Sequence, residues 1–221
     1  MIVLEGINKI YKVGGELFYA LKDLDLGIAD GEMVAICGSS GSGKTTLLNI
    51  IGCLDNPDSG SYYLDGVEVG HLWSSLKAKI RNEKIGFVLQ DFALINTQTV
   101  LYNVELPLLY SEYPYKAIKA KAIKALEMVG IADQAKKKAN QLSGGQRQRV
   151  AIARALVTDP DMILADEPTG QLDSSTGKQI IEQLKEINRK GKTLIIVTHD
   201  MNVASMAPRV LHMKDGRIAQ E

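Results

Sequence analysis

The chain has 221 residues, 45% of them apolar and 24% charged, the usual proportions of a soluble globular domain able to bury a sizeable core. Lysine plus arginine and aspartate plus glutamate number 26 each, and a net charge of zero argues against a polyanion partner such as nucleic acid. No apolar run approaches the roughly 20 residues of a membrane span. Met1-Ile2-Val3-Leu4-Glu5 lacks the basic start and long apolar stretch of a signal peptide, so a cytoplasmic protein is expected, with any membrane role arising through a partner.

In chain order, Ile2 to Tyr11 shows partial alternation and predicts a strand; Gly14-Gly15 predicts a turn. Ala20 to Ile28 alternates with Leu24, Leu26 and Ile28 on one face, which predicts an antiparallel sheet at the amino end. Met33 to Cys37 is an apolar run that reads as a buried strand, and a helical pattern follows at Leu47 to Ile51. Ser61 to Leu64 and Val67 to Val69 flank Asp65-Gly66 and predict a hairpin. Ser75 to Asn82 predicts a short helix, and Ile85 to Leu89 a strand ending at Gln90.

From Val100 to Thr158 the periodicity is helical, with Ile118, Ala122, Leu126 and Val129 on one face of a helix from Tyr115 to Val129. The lysines at 116, 119, 121 and 124, and Lys136 to Lys138, read as solvated surface. The strand-helix rhythm returns with Met162 to Ala165, a helix from Thr176 to Arg189 burying Ile180, Ile181, Leu184 and Ile187, and a strand from Thr193 to Val197. A closing hairpin over Val210 to Ala219 turns at Asp215-Gly216. This order predicts an α/β fold with a mostly parallel sheet, an N-terminal antiparallel β subdomain and an inserted α-helical subdomain. The expected core is 1–90 with 159–221, and the expected helical insert is 91–158. Cys37 and Cys53 are expected as buried thiols without a disulfide, and His71 and His212 as structural.

Between the strand at Cys37 and the helix at Leu47 stands Gly38-Ser39-Ser40-Gly41-Ser42-Gly43-Lys44-Thr45-Thr46, which fits the phosphate-binding loop G-x-x-x-x-G-K-[ST]. Glycines let the backbone wrap a phosphate, and the helix start supplies N–H groups and positive partial charge. Lys44 is expected on the β- and γ-phosphates and Thr45 on Mg²⁺. The strand Met162 to Ala165 ends in Asp166-Glu167, a pair suited to holding Mg²⁺ (Asp166) and polarising the attacking water (Glu167). A second glycine turn, Leu142-Ser143-Gly144-Gly145-Gln146, stands directly at a helix start and repeats the anion-binding logic.

With that turn the sequence resembles the ATP-binding cassette (ABC) family of ATPases, which have the P-loop NTPase, RecA-like fold. Leu142 to Gln146 matches the family's signature motif. The order of phosphate loop, Gln90, signature, acidic strand, Gln171-Leu172-Asp173 and His199 extends the match over nearly the whole chain. The resemblance implies two cassettes pairing head to tail, each ATP held by one copy's phosphate loop and the other's signature turn. It implies that Ser143, Gly144, Gly145 and Gln146 meet the γ-phosphate bound to a second copy. Gln90 would reach Mg²⁺ and the attacking water, Asp173 the dimer seam and His199 the γ-phosphate. Tyr11 would stack on adenine, although an aromatic there also suits core packing. Gln171 departs from the Ser, Ala or Asn common in the family, which bears on seam contacts more than on hydrolysis.

Asn49 to Asp55, Asn103 to Leu108 and Thr169 to Ser174 look like the lipoprotein-release, macrolide-export and antimicrobial-peptide-export cassettes, which pair with a permease bearing a large extracytoplasmic domain. A general importer or exporter cassette stays open, as does a regulatory ATP-binding module of the cell-division type. An ABC ATPase acting on DNA or ribosomes is disfavoured by the neutral charge and the single cassette. Trp73, Tyr102, Tyr110, Tyr113 and Tyr115 are expected to pack or to face a partner.

Overall fold

The computed structural model describes residues 1–219. In chain order its elements are β1 (Ile2–Val13), β2 (Glu16–Ile28), β3 (Met33–Cys37), α1 (Lys44–Ile51), β4 (Ser59–Leu64), β5 (Val67–Glu68), α2 (Ser74–Lys84), β6 (Ile85–Val88), α3 (Val100–Leu109), α4 (Tyr115–Met128), α5 (Gly144–Leu156), β7 (Met162–Asp166), α6 (Ser174–Arg189), β8 (Thr193–Thr198), α7 (Met201–Ala204), β9 (Arg209–Lys214) and β10 (Arg217–Ile218). They form two compact units, one of Met1–Arg81 with the described residues from Thr193 onward, the other Asn82–Lys192.

The first unit holds two sheets. One is antiparallel: β1 pairs β2 in a long hairpin and β4 on its other edge, and β4 pairs β5 across the Asp65-Gly66 turn. Ile2, Leu4, Leu24, Leu26 and Ile28 are buried, as their alternation predicts, whereas register shifts along β1 after Leu4 turn Ile7 inward and leave Ile10 only half-buried. The other sheet centres on β3, which pairs parallel with β8 and with β9, while β10 turns back antiparallel on β9. Every residue of β3 and β8 is buried, which suits strands covered on both faces. β2 begins at Glu16, earlier than the alternation suggests. Leu17, Phe18 and Tyr19 are exposed, so the tip of the hairpin is held by backbone ladder bonds and has no apolar face to read in the sequence.

The second unit packs helices on a parallel pair, β6 with β7. The Ile118, Ala122, Leu126 and Val129 face of α4 is buried as predicted, as are Ile180, Ile181, Leu184 and Ile187 of α6. Burying four such side chains supplies roughly 1.5–3 kcal/mol each, which outweighs the weak intrinsic helicity of the polar positions between them. α5 begins at Gly144 with Ser143 as its N-cap. The Ser143 hydroxyl accepts from the Gln146 N–H at 3.3 Å and Gln146 Oε1 accepts from the Ser143 N–H at 3.0 Å, a reciprocal capping box. Trp73, Tyr110 and Tyr115 are more than four-fifths exposed and contribute nothing to either core, whereas Tyr113 packs under the Lys121 ammonium. Among the described residues no helix is long and apolar enough to cross a membrane.

Candidate functional site

In the first unit the phosphate loop runs from the carboxyl end of β3 to the first turn of α1, where Lys44, Thr45 and Thr46 lie. Two glycines explain its tight path. A Cβ on Gly38 would stand 2.2 Å from the Met213 carbonyl oxygen. Gly43 has φ +101°, which other residues rarely adopt, and its Cβ would stand 2.4 Å from the Ala20 carbonyl oxygen. The loop is tied to the closing hairpin by a 3.1 Å bond from the Gly216 N–H to the Ser42 carbonyl. Lys44 is buried, and its ammonium donates to the Gly38 and Ser39 carbonyls at 2.9 and 2.8 Å, which curls it over the loop.

Tyr11 stands near the end of β1, half-buried. Its hydroxyl donates to Asp55 Oδ2 at 2.9 Å and interacts with Thr46 in the first turn of α1. Lys9, two residues earlier on the strand, donates to Asp55 Oδ1 at 2.7 Å and to the Asn56 carbonyl at 2.8 Å. Its ammonium lies 5.3 Å from the Tyr11 ring centre. Burial and the hydrogen bond to Asp55 push the Tyr11 phenol up from its ordinary value. His199 directly follows β8, and the pairing of Thr198 with Cys37 sets the exits of β8 and β3 side by side at the same edge of the sheet. Cys37 is buried with Sγ 3.2 Å from His212 Nδ1, and burial pushes its thiol up, so both side chains are structural as expected and no disulfide forms.

In the second unit Asp166 is the last residue of β7, and Glu167 follows with φ +45°, a strained left-handed conformation just past the strand end. Gln90 lies two residues beyond β6. The empty side of Gly170 locates it: a Cβ there would be 3.1 Å from Gln90 Nε2 and 3.5 Å from Glu167 Cβ. Gln90 and Glu167 therefore share one small neighbourhood. The Ser143 turn lies beside Leu172, whose Cδ2 would be 3.3 Å from a Cβ on Gly144. Asp173 caps α6, accepting from the Ser175 and Thr176 N–H groups at 3.1 and 3.0 Å and from the Ser175 hydroxyl at 2.6 Å. Those donors hold its carboxyl well below the usual carboxylate range.

Two further residues support candidate site residues, one in each unit. Buried Gln148 donates to the Pro168 carbonyl at 2.7 Å and pins the backbone just beyond Glu167. Asp55 anchors Tyr11. Neither partnership has a local sequence signal, because Gln148 and Pro168, like Lys9 and Asp55, are brought together only by the fold.

The donor set fits a nucleoside triphosphate. The first N–H groups of α1 have no partners within the helix, and Ser42 Oγ is buried in the loop with no hydrogen-bond partner among the described residues. No cluster of three or more His, Cys, Asp or Glu able to hold a metal occurs among the described residues. Thr45 at the start of α1 in the first unit and Asp166 at the end of β7 in the second each offer an oxygen of the kind Mg²⁺ takes, an ion that needs one or two protein oxygens and completes its shell from phosphates and water.

A family profile described as "ABC transporter" matches residues 21–170. The chain belongs to the ABC transporter family. The ABC transporter ATP-binding protein MJ0796 of Methanocaldococcus jannaschii is 50% identical over 226 residues, covering 100% of this chain and 96% of the relative. A macrolide export ATP-binding/permease protein MacB of Paracoccus denitrificans is 48% identical over 100% of this chain, which spans 33% of that longer protein. Two solved dimeric structures of the MJ0796 cassette, one of them in a post-hydrolysis state bound to ADP and Pi, superpose with a TM-score of 0.91 at 49% and 48% identity, each covering 100% of this chain and 97% of that one. This ABC cassette is an ATP-binding ATPase with the α/β P-loop fold that its motif order implies.

Proposed function

We propose that this ABC cassette is the ATP-hydrolysing subunit of a membrane transport or mechanotransmission system, working as a head-to-tail pair of copies that drives a permease. The observation that carries the reading is the presence in one chain of two glycine turns opening helices, at Lys44 and at Ser143, only the first of which carries a phosphate-binding lysine. A second such turn is explained if it serves a nucleotide held by another copy. The dimeric cassettes and the permease-fused macrolide exporters among the relatives support this.

In this reading Gly38 to Thr46 hold the phosphates, with the Lys44 ammonium moving from its own loop carbonyls onto the β- and γ-oxygens. Tyr11 stacks on the adenine. Thr45 and Asp166 would hold Mg²⁺, with Gln90 reaching toward it, and the ion would supply charge neutralisation at the phosphate oxygens. The Glu167 carboxylate takes the proton of the attacking water, Gln90 orients that water, and His199 donates to the γ-phosphate. The partner subunit's Ser143, Gly144, Gly145 and Gln146 grip the same γ-phosphate, and Asp173 lines the seam. The helical stretch 91–158 is the insert that carries the signature turn. Because the bridging contacts exist only with a γ-phosphate present, ATP shifts the pair toward the closed state and hydrolysis releases it. The cassette then lies at the cytoplasmic face of the membrane through a permease with an extracytoplasmic domain.

The test is Glu167→Gln. Turnover should collapse while an ATP-dependent dimer accumulates on size-exclusion chromatography. Normal hydrolysis by that variant removes Glu167 as the base and the reading with it.

A further inference from the structure

We infer that Arg154 is a positioning residue for Gln90, acting through the turn that follows it; the inference rests on the role proposed for Gln90 above. Phe92 and Ala93 both have positive φ, +63° and +46°, although neither is glycine. Two successive left-handed non-glycine residues are strained and persist only where surrounding contacts impose them. The Arg154 guanidinium supplies such contacts. Its Nη2 donates to the Phe92 carbonyl at 2.9 Å and its Nη1 donates to the Ala93 carbonyl, so one rigid fork holds both strained peptides.

Arg147 grips the same turn from the other end of α5. Its guanidinium lies over the ring of buried Phe92, with Cζ 4.9 Å from the ring centre. Arg147 and Arg154 are two helical turns apart and therefore share a face of α5. The helix is also seated closely on β6, because Gly86 leaves room where a Cβ would stand 2.4 Å from the Ala155 carbonyl oxygen. α5 thus fixes β6 beneath Gln90 and clamps the turn beyond it, while its own amino end is the Ser143 turn. Burial works against the Arg154 charge and nearby Asp91 supports it. A guanidinium is retained there because a lysine has one head where two carbonyls must be held.

The consequence is that Gln90 and the signature turn are mounted on one helix, so a displacement of either is felt by the other. Misplacing a catalytic group by about 1 Å can cost on the order of 100-fold in rate. Arg154→Lys should therefore lower kcat for ATP about tenfold or more while leaving KM within about twofold, since none of these contacts touches the phosphate loop.

The deciding experiment is a double-mutant cycle with Gln90→Ala, measuring steady-state ATPase kcat and KM together with the thermal midpoint of each variant. If Arg154 acts through Gln90, Arg154→Lys costs kcat in the wild-type background and nothing further once Gln90 is Ala. Additive losses overturn the inference while leaving Gln90 in place. An unchanged kcat in Gln90→Ala instead overturns the role of Gln90. Ala93→Gly, which relieves one strained residue, gives a second variant: it should restore part of the kcat lost in Arg154→Lys, and no recovery counts against the clamp.

Discussion

Asp55 Oδ1 accepts from the Lys9 ammonium at 2.7 Å while its Oδ2 accepts from the Tyr11 hydroxyl at 2.9 Å, so one carboxylate ties two side chains of β1 to the segment following α1. Burial alone would raise the Asp55 carboxyl, but the bonds from Lys9, the Asn56 N–H and Tyr11 outweigh it and hold the group below its ordinary value. A carboxyl depressed in the fold contributes stability above its unfolded value, about pH 3.9, and loses it as pH falls through the folded value. Tyr11 is raised, so its contribution is complete below about pH 10 and is lost as pH rises through the folded value.

Asp55→Ala should therefore cost about 2 kcal/mol near neutral pH, since it leaves the buried Lys9 ammonium with the Asn56 carbonyl and no counter-charge, and should flatten the acid limb of a urea-midpoint profile. Tyr11→Phe should flatten the alkaline limb and weaken the acid limb less than Asp55→Ala does, since Lys9 and the Asn56 N–H still hold the Asp55 carboxyl down. If Tyr11 stacks on adenine, Tyr11→Ala should weaken ATP binding, whereas Tyr11→Phe and Asp55→Ala, which both break the Tyr11–Asp55 bond but keep a ring, should weaken it less. Equal ATP affinity in Tyr11→Ala and the wild type would remove Tyr11 from the base site.

The phosphate loop offers a sharper steric contrast. Gly41 and Gly43 both have positive φ, but a Cβ at Gly41 meets nothing within 4 Å, whereas one at Gly43 meets the Ala20 carbonyl at 2.4 Å and Leu21 Cδ2 at 3.2 Å. Gly41→Ala should cost about 1 kcal/mol from backbone conformation alone, and ATP binding should survive. Gly43→Ala adds a backbone clash that moves the start of α1, and should lower ATP affinity at least tenfold on top of roughly 1–3 kcal/mol of stability. Equilibrium binding of a fluorescent ATP analogue with a melting curve for each variant checks the difference. Equal losses at the two positions would show that the loop relaxes and that the Ala20 contact does not set its path.

The contrast between these residues also marks what the sequence could convey. The loop was legible because glycine, lysine and threonine at fixed spacing carry their own geometry, and strands β3 and β8 because uninterrupted runs such as Leu194 to Val197 have no exposed face. Asp166-Glu167 was legible from its place at the end of a buried strand. The Leu142 to Gln146 turn was legible as standing at a helix start, but that Gly144 and Gly145 themselves open α5 was not, because two consecutive glycines weaken helix propensity. The short helix α7 was missed for want of length: Met201–Ala204 is one turn, capped by Asp200, and buries only Val203 and Ala204. The Lys9–Asp55 pair and the Arg154 fork on Phe92 and Ala93 join residues far apart in sequence, and no local pattern announces them.

The paired-copy reading makes a prediction that no monomeric ATPase can meet. Lys44→Ala removes the phosphate lysine, and Ser143→Arg blocks the signature turn with a long cation. The second change also deletes the N-cap of α5, worth about 1 kcal/mol, a small loss against the roughly 5–15 kcal/mol of a typical domain, so the variant should stay folded. Each variant alone should hydrolyse almost no ATP, because every composite pocket is defective. In an equimolar mixture half of the pairs are mixed, and each mixed pair carries one pocket with an intact lysine and an intact signature turn. About a quarter of wild-type sites should then return, as random pairing in a two-fold dimer requires. The recovered rate should rise faster than linearly with protein concentration while pairing is limiting. If the mixture never exceeds the sum of its parents, and the wild-type rate per chain is independent of concentration down to the point where only single chains sediment, then each copy hydrolyses its own nucleotide unaided and the Ser143 turn serves some other anion.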